Sequence, residues 1–155
     1  MTILPRSLAP YRVVDLTEGG ADLAGKIFRD LGAEVVKVEP PGGSRSRRRS
    51  PRADETPEAP SLFWLALNAG KSRARLDLET ASGRRRLLQM VATADFLVES
   101  FRPGYLAGLG LGHTALRAVN PGLIQVSITP FCQTGPYAGY AASDLTIWEI
   151  GRAHV

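Results

Sequence analysis

One cysteine, two histidines, two tryptophans and an aromatic content of 7% are all that this 155-residue sequence offers in those classes. A lone thiol, Cys132, cannot close an internal disulfide, so stability has to come from a packed core, and such cysteine usage fits a reducing compartment. No histidine stands near Cys132 in the chain, which argues against a catalytic thiolate. Zinc-ligand spacing is absent, as are a Walker-type phosphate loop and a nucleophile elbow. No apolar run approaches the roughly 20 residues of a membrane span. The opening "MTILPRSLAPYRVV" has no apolar stretch of secretory length. The expectation is a soluble cytoplasmic protein with no metal and no membrane partner.

What is present is ordinary for a globular domain: 44% hydrophobic and 22% charged residues. A length of 155 residues suits one domain with a real core. The net charge of +4 is unevenly spread, with Arg45, Arg47, Arg48, Arg49 and Arg52 in one group and Arg84, Arg85 and Arg86 in another. Such patches favour an anionic partner without choosing one.

Strand and helix patterns alternate along the chain. "YRVVDLT" (11–17) reads as a buried strand. The following helix repeats Leu23, Ile27, Phe28 and Leu31 at helical spacing toward a core and stops at Gly32. "AEVVKVE" (33–39) is a second strand, which makes a parallel βαβ unit. Residues 40–60 hold five prolines and five arginines and no apolar residue larger than alanine, the composition of a long mobile loop. "SLFWLALN" (61–68) is apolar enough to be a fully buried helix. Further strands are expected at 72–78, 95–101 and 122–129, with helices at 80–94, with Leu87, Leu88 and Val91 inward, and at 113–120. The class is therefore α/β with a mostly parallel sheet, whose ligands bind beyond the carboxyl ends of the strands. "IGRAHV" (150–155) lacks periodicity and reads like a translated sequencing adapter or cloning tail, which leaves 1–149 as the natural segment.

Several strand exits carry candidate chemistry. "DLTEGGA" places Gly19 and Gly20 before a helix, either as a tight structural turn or as a ligand turn. The arginine loop is either solvated or phosphate-binding, with Arg45 and Arg47 nearest the strand end. Nucleic acid is poorly supported, because no aromatic residue in that loop can stack on bases and acids dilute the charge. Arg102, before a Pro-Gly turn, is either a phosphate partner or an incidental surface residue. Asp144 at a helix start is either an N-cap or a catalytic carboxylate. His113, also before a helix, is assigned a local polar role.

Six collinear stretches, "VVDLT", "DLGAEVVKVEPPGG", "LNAGKSRARLDLET", "GRRRLLQMVATADFLVESFRPG", "LGLGHTALRAVNPGLIQVSI" and "QTGPYAGYAASDLTIW", cover nearly all of residues 11–148. Together they resemble the family III CoA-transferases of the CaiB/BaiF type. The resemblance implies a Rossmann-like, mostly parallel sheet with helices on both faces, here an incomplete large domain. It implies an interlocked homodimer and a substrate pair of acyl-CoA and a carboxylic acid. By position it places Thr17, Glu18 and Gly19 at the first-turn contact with coenzyme A. Leu76 and Asp77 fall near the adenosine, and Ser100, Phe101 and Arg102 on the turn after the fourth strand. Ser100 stands where the family typically has asparagine, Pro40 where many members carry arginine, and Pro130 and Cys132 replace glycines. The resemblance further implies an aspartyl acyl anhydride formed by an aspartate beyond the end of this chain, with Asp144 as a supporting carboxylate only. The fragment alone is then expected to be inactive. Ser143 occupies the position of the histidine found in the related α-methylacyl-CoA racemases, which leans against racemisation. A non-catalytic nucleotide-binding module is the remaining alternative.

Overall fold

The structure, a computed structural model, describes residues 7–54, 56, 59–143 and 145–147. Asp144 and the 150–155 tail lie outside the described residues. Five short strands form one sheet: β1 (Arg12–Leu16), β2 (Glu34–Glu39), β3 (Ser72–Arg75), β4 (Phe96–Glu99) and β5 (Ile124–Ser127). Their order is β3-β2-β1-β4-β5, and every pair is parallel. The helices are α1 (Asp22–Asp30), α2 (Leu62–Asn68), α3 (Ala81–Val91), α4 (Tyr105–Gly108) and α5 (His113–Val119). Local chemistry sets their limits. Ser61 and Thr80 cap α2 and α3 by accepting from the amides of Trp64 and Gly83. Gly32 ends α1 with φ of +104°, which a side chain would resist. No helix among the described residues is long and apolar enough to cross a membrane.

Strand pleating sorts the core into two faces. On one, Val14, Leu16, Val38 and Leu97 meet Leu87 and Val91 of α3, Leu106 of α4 and Leu116 of α5. On the other, Val13, Val35 and Val98 meet Ala24 and Phe28 of α1. Helices therefore cover both faces, as a parallel sheet requires. Each fully buried leucine or valine contributes roughly 1.5–3 kcal/mol.

The second face also holds charge. Asp15 and Lys37 lie opposite each other in the β1–β2 register, and neither side chain is exposed. Lys37 Nζ sits 2.6 Å from Asp22 Oδ1 and 3.6 Å from Asp15 Oδ1, and it also donates to the Thr17 carbonyl. Lys71 Nζ donates to Asp15 Oδ2 at 2.8 Å, to the Asp22 carbonyl at 2.8 Å and to Asn68 Oδ1 at 3.0 Å. Burial pulls the Lys71 ammonium below its usual pKa, against the opposing pull of Asp15. Two carboxylates and two ammoniums thus neutralise one another beneath α1. Gly25 makes this possible, because a Cβ there would stand 2.1 Å from Asp15 Oδ2.

Three expectations need correction. Leu23 and Ile27 are 50% and 51% exposed, and Leu31 is also exposed, while the buried positions of α1 are Asp22 and Gly25. Helix α1 turns its polar edge to the charged pair, so the apolar stripe is rotated outward. Helix α2 is not buried throughout: Trp64 and Asn68 are inside, Leu62 and Leu65 outside. Part of the 40–60 segment has regular structure, with a 3-10 turn at Arg45–Arg48, buried Ser44 and Ser46, and an antiparallel bridge from Arg52 to Ser61.

Replacing Lys37 by Met removes the ammonium paired with Asp22 and leaves one buried carboxylate uncompensated, Asp15 keeping Lys71, and we expect a loss of roughly 3–5 kcal/mol in denaturant unfolding. Gly25→Ala reverses the sign that helix propensity predicts. Propensity alone favours alanine by about 1 kcal/mol, whereas the clash with Asp15 makes the variant less stable in the same measurement.

Candidate functional site

Because all five strands run the same way, the segments after Leu16, Glu39 and Val98 leave from one border of the sheet. The strand order reverses at β1, between its neighbours β2 and β4, and a crevice opens there. It has a volume of about 470 Å³. The β1 exit supplies Glu18, the β2 exit Pro40 and Arg45, the β3 exit Leu76 and Asp77, and the β4 exit Ser100, Phe101 and Arg102. Leu16, Val38 and Leu78 add an apolar floor.

Six of the expected binding residues therefore meet in one cleft: Glu18, Leu76, Asp77, Ser100, Phe101 and Arg102. Thr17 and Gly19 are not among its lining residues. The Thr17 hydroxyl is buried, 2.6 Å from Asp15 Oδ1 and 3.1 Å from Asp22 Oδ1, so it belongs to the charged layer below. Gly19 adopts φ of +65°, which lets the chain turn from β1 toward α1. Asp144 is outside the described residues.

The three exits are tied together by polar contacts. The Glu18 amide donates to Ser100 Oγ at 2.9 Å, and Ser44 Oγ donates to the Glu18 carboxylate at 2.6 Å. Ser100 thus braces the first turn with its hydroxyl. Arg47 grips Glu39 with two bonds of 2.8 Å and stacks on Trp64 at 3.7 Å. Burial pushes the Glu39 carboxyl up, but the Arg47 fork and charge outweigh it and hold the pKa below 4.5. Arg47 is therefore occupied, whereas the Arg45 and Arg102 side chains line the cleft and make no hydrogen bond or ion pair among the described residues.

Asp77 is fixed by Gly83, whose absent side chain lets α3 approach the Asp77 carbonyl: a Cβ would stand 1.9 Å away. Beyond it, Tyr105 donates to Glu79 at 2.7 Å and stacks on Phe101 with ring centroids 4.7 Å apart. Tyr105 and Arg102 border both this cleft and a second cavity of about 390 Å³ on the β5 side. His113 lines that second cavity, with Nδ1 3.3 Å from the Gln125 amide oxygen, a local polar contact as expected. Cys132 is exposed and lines neither cavity. No group of three or more metal-ligating side chains occurs among the described residues.

Sequence reasoning missed Glu79, Tyr105 and the two serines of "SRS". None has a periodic or motif signal, and each gains its role from a partner distant in the chain. What the cleft offers a ligand is an apolar shelf, the carboxylates of Glu18, Glu39, Asp77 and Glu79, of which Glu39 is held by Arg47 and Glu79 by Tyr105, and two guanidiniums with no competing partner among the described residues. That set suits an elongated molecule with an aromatic or ribose portion and phosphate charge.

The bond to Glu79, aided by burial, pushes the Tyr105 phenol up to about 12. A raised pKa favours the neutral phenol in the folded state, so the contact is intact below pH 10 and is lost as pH rises through about 12. Ultraviolet difference titration should show this late component in the parent chain and not in Tyr105→Phe.

The description CoA-transferase family III matches residues 8–153. A succinyl-CoA:(R)-benzylsuccinate CoA-transferase subunit from Thauera aromatica is 46% identical over 137 residues, covering 88% of this chain and 33% of the relative. A succinate–glutarate CoA-transferase from Agrobacterium fabrum is 39% identical over 155 residues, covering 95% of this chain and 39% of the relative. A crystal structure of a CaiB/BaiF family protein from Brucella suis superposes with a TM-score of 0.86 at 39% identity, over 93% of this chain and 39% of that one. The chain thus spans only 33% and 39% of the length of these two curated relatives. Sequence and fold agree over nearly the whole of it, and the chain belongs to CoA-transferase family III.

Proposed function

We propose that the cleft binds the nucleotide portion of coenzyme A, and that this chain is the coenzyme A-binding part of an acyl-CoA:carboxylate CoA-transferase. The observation that carries this reading is the convergence of four strand exits on one cleft holding two guanidiniums that are unpaired among the described residues. The apolar shelf of Leu76 and Phe101 suits an adenine ring, and Asp77 suits hydroxyl donors of a ribose. Arg45 and Arg102 suit phosphates, to which a charged guanidinium donates more strongly than a neutral donor does.

Such binding has a chemical use. Holding the distant nucleotide tail positions the thioester and lowers the entropic cost of attack upon it. In the proposed reaction a carboxylate attacks the thioester carbonyl, the C–S bond breaks, and coenzyme A leaves as a thiolate from an aspartyl acyl anhydride. Within this chain the assigned tasks are binding and orientation, with Asp144 as a supporting carboxylate. The substrates in the proposed reaction are a coenzyme A thioester and a free carboxylic acid, the classes in the names of the relatives. A homodimer is part of the proposal, and the outward Leu23 and Ile27 of α1, with Leu31 just after it, are a surface that such a partner would cover.

Calorimetric titration tests the reading. Coenzyme A should bind better than NAD or ATP, and Arg102→Ala should weaken it by roughly ten- to a hundredfold. A flat coenzyme A titration at about millimolar concentration would remove the preformed cleft from consideration. Equal binding of all three nucleotides would point to a generic nucleotide module instead.

A further inference from the structure

Arg45 opens a 3-10 turn, Arg45–Arg48, in which Ser46 and Arg47, with the capping Ser44, are committed elsewhere, while Arg48 is exposed and does not line the cleft. Ser46 Oγ donates to Asp22 Oδ2 at 3.2 Å, and the Ser46 amide donates to Ser44 Oγ at 3.2 Å. Ser44 Oγ in turn donates to Glu18 at 2.6 Å. Both serines are buried, and Arg47 is locked between Glu39 and Trp64. Asp22 is itself held by Lys37 at 2.6 Å. A continuous line of polar contacts thus runs from the charged layer under α1, through two hydroxyls, to the lip of the cleft. Residues 44, 46 and 47 face the protein, and only Arg45 of this turn is left to face the cleft, exposed and without a partner among the described residues.

We propose that Ser44 and Ser46 are positioning residues that hold the Arg45 guanidinium over the cleft as a phosphate-binding arm. The proposal rests on the coenzyme A reading for its physiological ligand, and its chemistry asks only for a phosphate. An arginine on a free loop gives up much of its binding energy in ordering itself and the backbone beneath it. Here the backbone is ordered before the ligand arrives, by bonds the ligand never touches. The five-arginine loop thereby divides its tasks: Arg47 anchors, Arg45 binds, and two unremarkable serines decide which is which.

The test titrates coenzyme A, and separately inorganic pyrophosphate, into the intact protein, Arg45→Ala, Ser44→Ala/Ser46→Ala and the triple variant. Arg45→Ala should weaken binding roughly tenfold, within the range for one charged hydrogen bond. The serine variant should weaken it by a similar factor, and the triple variant no further, because the serines act through Arg45. Salt dependence supplies a readout that a purely structural role would leave unchanged: its slope should fall equally in the arginine and serine variants. Circular dichroism checks folding, and Ser46→Ala alone serves if the pair does not hold. Serine losses that add in full to the arginine loss overturn the proposal, as does wild-type binding by the serine variant. A flat coenzyme A titration with intact pyrophosphate binding fells the coenzyme A reading alone, whereas failure of both probes fells the phosphate arm as well.

Discussion

Asp15 and Lys37 face each other across two neighbouring parallel strands, and neither side chain reaches water. Burying an unpaired charge costs several kcal/mol, so neither could be kept without the other and without further partners. Asp22 and Lys71 complete the set. This constraint propagates outward. Helix α1 must present a glycine where it passes over Asp15, must begin with an acid, and must turn Leu23 and Ile27 toward solvent. Helix α2 must end near enough for Asn68 to bond Asp22 and Lys71. The charged layer thus sets the relative placement of β1, β2, α1 and α2 with a directionality that apolar packing alone lacks.

The same layer reaches the ligand edge. Thr17 follows β1 directly, with its hydroxyl on Asp15 and Asp22 and its carbonyl on Lys37. The next residue, Glu18, receives Ser44 from the second exit and donates to Ser100 of the fourth. Three loops that are 82 residues apart at their extremes are drawn to one point by short polar bonds. Cleft geometry is therefore anchored in the core, and the cleft gathers its binding groups on backbone that is ordered without ligand. Preorganisation of this kind lowers the ordering cost of whatever those exposed arginines bind.

Much of this was legible beforehand. Valine-rich runs bounded by glycine and proline marked the strands, and alternation with helical periods implied a parallel sheet. From parallelism alone it follows that all exits share one border, and this brought Glu18, Asp77, Ser100 and Arg102 together as expected. The errors have a common cause. Periodicity in α1 pointed Leu23 and Ile27 inward because apolar residues usually go there. The buried face instead follows Asp22 and Gly25, whose partners lie in other elements. Likewise, the composition of 40–60 indicated an irregular loop, since nothing local reveals that Ser44 and Ser46 have buried acceptors.

Local sequence, then, determined the strand and helix segments, the parallel class and the border from which the strand-end loops leave, because hydrophobic period and turn chemistry act over a few neighbouring residues. Only the tertiary structure decided which charges are spent on one another and which remain free. Arg47 and Arg45 are near-identical neighbours in the chain; one is consumed by Glu39 and Trp64, the other faces the cleft. Electrostatic pairing depends on distance in space and on burial, and neither can be read from the order of the residues.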